Sequence, residues 1–123
     1  MTPIRKFLNS FYYAFQGLIT AYQIEFKIKL HFLATIVVIA FATSFNFNYH
    51  EWIISLLCIG LVLITELINT AFEQLANFAA PDFNEKIKRT KDIAASAVFI
   101  AATLSLTIWF ILVYYHFNSN INL

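Results

Sequence analysis

Polar residues punctuate this chain sparsely, and the apolar stretches between them predict four helical segments. From Phe7 to Ile28, apolar residues recur at the helical interval as Phe7, Phe11, Ala14, Phe15, Leu18, Ala21 and Tyr22. Asn9, Gln16 and Gln23 fall on another face. That pattern predicts an amphipathic helix over about residues 5–28, lying in a membrane interface. Residues 31–47, 52–72 and 93–115 are different. Each is a long, mostly apolar run of about the 20 residues that a membrane-spanning helix needs. The second run keeps its helical pattern to about residue 79, and Pro81 fits a break after it. The predicted fold is therefore all-α and integral to the membrane. It has three transmembrane helices (31–47, 52–79 and 93–115), one amphipathic surface helix and a loop over 80–92, in a single domain spanning 1–123.

The basic residues orient this arrangement. Arg5, Lys6, Lys27 and Lys29 precede the first span, and Lys86, Lys88, Arg89 and Lys91 lie between the second and third. The other connection, FNFNYHE, and the tail HFNSNINL carry no Lys or Arg. All eight basic residues thus fall on one side, which the positive-inside rule makes cytoplasmic. The N terminus is expected inside and the C terminus outside. Trp52, Trp109, Tyr114 and Tyr115 sit near the outer ends, where aromatic belts form.

Composition agrees. Of 123 residues, 60% are hydrophobic and 12% charged, against about 25% charged in an ordinary soluble domain, and mean hydropathy is +0.70. A net charge of +1 gives no electrostatic footprint for nucleic acid. The lone Cys58 excludes an intrachain disulfide framework and a cysteine-only zinc site. Gly17 and Gly60 cannot build a glycine-rich phosphate loop, so a bound nucleotide would be held by carboxylates and cations. The start shows no signal-peptide cleavage pattern.

Chemistry concentrates in the run from Glu66 to Asn77. At about 100° per residue, Glu66, Asn69, Thr70, Glu73 and Asn77 share one stripe about 100° wide. A membrane helix turns such a stripe toward protein or water. Glu73 lies roughly 10 Å along the axis from Glu66, near the basic boundary, so the pair can reach a water-soluble substrate and a lipid headgroup together. Lys91 reads as a point charge for phosphate, with Asp92 as an orienting acceptor, or the two form a snorkelling boundary pair. Glu25 is a surface charge or a second magnesium-binding carboxylate facing Glu73. Glu66 is a site carboxylate, a structural partner of a lysine or a lone proton carrier. His31, His50 and His116 have no metal-site spacing and read as interfacial.

The run E66-LINTAFE73, followed by K91-D92 and an alanine-rich span, resembles the signature of the small prokaryotic diacylglycerol kinase family, which includes the undecaprenol kinases. The N-terminal S10-F-Y-Y-A14-F-Q-G17 is similar to that family's N-terminal helix. E25-FKIK-L-H31 and E51-W-I-I look like its undecaprenol-kinase branch. The resemblance implies a homotrimer in the bacterial cytoplasmic membrane, with sites between subunits that transfer the γ-phosphoryl of MgATP to a lipid hydroxyl, undecaprenol ahead of diacylglycerol. By position, Glu66 matches the general base, and Glu25 and Glu73 match the magnesium-binding carboxylates. Asn69 and Lys91 match groups around the phosphates, Asp92 a supporting acid, and Tyr13 and Gly17 nucleotide-side positions. Asn77 stands where the family commonly has Asp, near the adenine end. Lys27 replaces the branch's usual Asn, and Gln16 stands where some members are basic. The rival expectations are a small proton-coupled transporter, which needs a membrane carboxylate but not the Glu25, Glu73 and Lys91–Asp92 set, and a non-catalytic relative.

Overall fold

The computed structural model describes residues 2–121, and among them it contains helices and no strand. The helices are α1 (Pro3–Ile24), α2 (Phe26–Ser44), α3 (Tyr49–Ala79) and α4 (Glu85–Ile121). The last three are each long and apolar enough to cross a membrane. α3 is central, packing on α2 and more extensively on α4, while α1 packs on α2.

Local chemistry sets the boundaries. Pro3 opens α1 behind Thr2, whose hydroxyl accepts from Arg5 N–H, and proline is favoured there because its missing N–H has no intrahelical use. The periodicity that predicts a helix to residue 28 breaks at Glu25. This residue turns extended, at φ −121° and ψ 114°, and caps both helices. Its N–H donates to the Ala21 carbonyl at 3.0 Å, and its carboxylate accepts from Lys27 N–H at 3.3 Å. At the third boundary, helix begins inside the expected loop. Asn84 Oδ1 accepts from the N–H groups of Lys86 and Ile87 at 3.0 and 3.2 Å. The pairs Glu85–Arg89 and Lys88–Asp92 then brace the first turns four residues apart.

The link between α2 and α3 is a tight C-cap. Asn46 lies in the left-handed region at φ 54°, which asparagine tolerates better than most residues. Phe47 N–H reaches back to the Ala42 carbonyl at 3.0 Å and Asn46 N–H to Thr43 at 3.4 Å, the bond pair of a Schellman ending. Phe47 is buried with Ala42 and Leu112, against Phe41 and Trp52. Asn48 and Glu51 then start α3 with a capping box.

The α3–α4 pair is antiparallel and tied by polar contacts along its length. His116 Nδ1 meets both Glu51 carboxylate oxygens at 3.0 Å. Trp109 Nε1–H donates to Ser55 Oγ at 3.2 Å, and Ser105 Oγ–H donates to the Cys58 carbonyl at 3.2 Å. Burial is inverted relative to a soluble domain. Ser55, Glu66, Asn69 and Thr70 are inside, whereas Leu57, Ile68 and Phe78 are exposed. That is the distribution expected where the surroundings are hydrocarbon. His116 is itself buried, because its ring is held against the two Glu51 carboxylate oxygens at this end of the bundle.

Removing the imidazole leaves Glu51 almost buried beside the capping box. His116→Ala should therefore lower stability by about 1–3 kcal/mol, the penalty for stranding a buried polar group. The check is a lower melting temperature in detergent, with His116→Gln losing less.

Candidate active site

The polar stripe of α3 grades from buried to exposed along the helix. Glu66, Asn69 and Thr70 are 1%, 2% and 3% exposed, Glu73 is half-buried and Asn77 is exposed. The stripe ends at the same end of the bundle as Lys27, Lys86, Lys88, Arg89 and Lys91. A buried carboxyl group and a positively charged rim thus lie at the two ends of one stripe.

α2 supplies Glu66 with its partners. Lys27 and His31 are four residues apart and so share a helix face. Lys27 Nζ lies 3.8 Å from Glu66 Oε1, and His31 Nε2 lies 3.4 Å from Oε2. This contact shows that the α2 face bearing Lys27 and His31 is turned toward α3. Burial of a carboxyl group is expensive unless charge and hydrogen bonds offset it, and Lys27 supplies an ammonium and His31 a polar ring beside it. Even so, Glu66 Oε1, Asn69 Oδ1 and Thr70 Oγ1 have no hydrogen-bond partner among the described residues. Buried polar atoms are normally paired. Three unpaired atoms on adjoining positions of one face mark where a ligand or a neighbouring chain would bond.

The other candidate residues form separate groups. Asn69 Nδ2–H donates to Glu73 Oε1 at 3.2 Å, which ties the buried part of the stripe to its half-buried part. Lys91 Nζ–H donates to Asn77 Oδ1 across the α3–α4 pair, so Lys91 is drawn to the stripe. Asp92 is not brought to Lys91. It faces out and pairs with Lys88 at 2.8 Å. Glu25 is half-buried at the α1–α2 elbow. Tyr13 and Gly17 are exposed one turn apart on α1, and the Tyr13 ring packs edge-on to Tyr12. Among the described residues no three His, Cys, Asp or Glu side chains gather as a metal site.

An apolar cavity of about 330 Å³ lies between α2, α3 and α4. Leu30, His31, Val38, Val62, Leu106 and Trp109 are among the residues that line it. His31 borders both this cavity and Glu66, so the buried carboxylate and the greasy space share one wall.

The sequence model of the family described as prokaryotic diacylglycerol kinase matches residues 12–113. The chain is 24% identical over 117 residues to the diacylglycerol kinase of Escherichia coli (strain K12), covering 95% of this chain and 96% of that one. It is 29% identical over 102 residues to the undecaprenol kinase of Bacillus subtilis (strain 168), covering 83% of each. A diacylglycerol kinase of Synechocystis sp. is 31% identical over 109 residues, covering 81% of this chain and 62% of that protein. Membrane-length helices around a buried carboxylate, together with these relatives, define a membrane lipid kinase. The chain belongs to the prokaryotic diacylglycerol kinase family, which sets aside the transporter reading.

Proposed function

We propose that this kinase transfers the γ-phosphoryl group of MgATP to the hydroxyl of undecaprenol, with diacylglycerol as the alternative acceptor. The observation that carries the reading is Glu66, buried on the polar stripe, with Oε1 lacking a hydrogen bond among the described residues and the apolar cavity adjacent. A lipid alcohol needs that combination, a proton acceptor at the headgroup and hydrocarbon space for its chain. Undecaprenol is favoured by the E25-to-H31 run.

Phosphoryl transfer depends on positioning and charge neutralisation more than on covalent chemistry. In this reading Glu66 accepts the hydroxyl proton, within about 2.6–3.2 Å of it or through one water. Asn69, whose amide donates to Glu73, aligns the reacting groups. Lys91 supplies positive charge to the transferred oxygens, and Asn77 holds that ammonium at the stripe. Asp92 acts at longer range, through the cationic edge it shares with Lys88. Tyr13 and Gly17 offer an open face on α1 for the nucleotide.

Glu25 and Glu73 would hold magnesium. Their oxygens are hard donors, and two carboxylates plus phosphate oxygens are a usual magnesium set. When bound, the cation neutralises charge on the β- and γ-phosphates.

The setting of this reading is the bacterial cytoplasmic membrane. The basic end faces the cytoplasm, with α1 lying amphipathically on that surface, as its exposed Phe7, Phe11 and Phe15 suit. Three copies would assemble so that each stripe is completed by a neighbour. The unpaired Asn69 and Thr70 oxygens support that incompleteness.

Purified protein with MgATP and both lipids in competition should label undecaprenol preferentially, and equal or reversed labelling would reject that preference. Glu66→Gln should lower kcat by about 10²–10⁴-fold with assembly unchanged, and wild-type turnover would reject the base assignment. Glu73→Ala should raise the magnesium concentration for half-maximal rate on the order of tenfold, since one of about two carboxylate ligands is lost. A magnesium titration at saturating ATP reads this directly.

A further inference from the structure

Among the described residues Glu66 has two partners, Lys27 and His31, and they treat its oxygens differently. Lys27 Nζ, 3.8 Å from Oε1, is close enough for charge attraction but beyond hydrogen-bond reach, and the Lys27 side chain is half exposed. His31 Nε2, 3.4 Å from Oε2, is the nearer contact, a polar contact just longer than an ordinary hydrogen bond, and comes from a half-buried ring. Oε1 is left buried and without a hydrogen bond. His31 also lines the apolar cavity, which places its ring on the side from which a lipid chain would approach.

Resting on the lipid-kinase reading with Glu66 as base, we propose that His31 is a positioning residue for the transfer step. Its Nε2 holds Glu66 Oε2, so that Oε1 is presented to the lipid hydroxyl. In that step the lipid oxygen bonds to the γ-phosphorus as the bond from phosphorus to the β–γ bridging oxygen breaks. ADP leaves with the electron pair, and the hydroxyl proton passes to Glu66 Oε1. His31 forms and breaks no bond. It confines the carboxylate to one rotamer, which an otherwise unanchored glutamate lacks. Misplacing a reacting group by about 1 Å can cost on the order of 100-fold.

Two near-isosteric replacements separate positioning from packing, because a glutamine amide nitrogen reaches the Nε2 position and an asparagine amide nitrogen only the Nδ1 position. Turnover is measured in lipid for the full chain carrying His31→Gln, His31→Asn, Glu66→Gln or the pair Glu66→Gln and His31→Asn. His31→Asn should lower kcat on the order of 100-fold, with KM for MgATP within about twofold, as for an interaction felt only in the transition state. His31→Gln should recover most of that loss. Added to Glu66→Gln, His31→Asn should lower the residual rate no further, because the two act as one unit.

Equal kcat for the Gln and Asn variants, whether both high or both collapsed, would overturn the proposal. So would a full additional loss in the Glu66→Gln background. Wild-type turnover by Glu66→Gln would instead overturn the base reading. An inactive Glu66→Gln beside a fully active His31→Asn would overturn the positioning role alone.

Discussion

Glu66 sits 1% exposed within an apolar helix, with an ammonium 3.8 Å away and an imidazole 3.4 Å away. In hydrocarbon neither water nor lipid can solvate that group, so its partners must come from protein. The requirement propagates. α2 must turn the face bearing Lys27 and His31 toward α3, and α3 must turn Glu66, Asn69 and Thr70 inward. The large apolar side chains of α3 are left to face outward. Helix packing here follows the placement of polar groups, because apolar surface gains little by leaving lipid for protein.

The same placement serves the chemistry. A kinase for a lipid alcohol works on a boundary, with a charged donor on the water side and a hydrocarbon acceptor on the other. The gradient along α3, from the buried Glu66 through the half-buried Glu73 to the exposed Asn77, crosses that boundary within one helix. Lys91 joins it from α4 through Asn77. Asn77 makes this contact as a neutral acceptor, where an aspartate would form a charged pair. The lysine is therefore held without being neutralised.

Much of this was legible in the chain. The three apolar runs and their helical character follow from hydropathy, and the burial of Glu66, Asn69 and Thr70 follows from their common stripe. The boundaries were less legible. Glu25 ends one helix and starts another through its backbone angles, and periodicity does not register that, since the apolar rhythm runs on past it. The first turns of α4 read as loop because they are charged, yet Asn84 caps them and spaced ion pairs brace them. A lysine partner for Glu66 was among the readings, but that it is Lys27, with His31 beside it, was missed because both are distant in sequence and unremarkable alone. Their four-residue spacing was the available signal. His116 and Glu51 meet for a simpler reason, since topology brings the α2–α3 connection and the end of α4 to the same end of the bundle.

The two ends of the bundle are built unequally. At one end lie a left-handed turn at Asn46, a capping box, the Glu51–His116 pair and a knot of rings from Phe41, Phe45, Phe47, Trp109 and Phe117. At the other, α3 and α4 are joined by a short link containing Pro81, and side chains there lie mostly open. Sparse contacts open at lower free energy than dense ones, so the packed rings hold one end of the bundle more tightly than the link, the Lys91–Asn77 contact and the exposed charges hold the other.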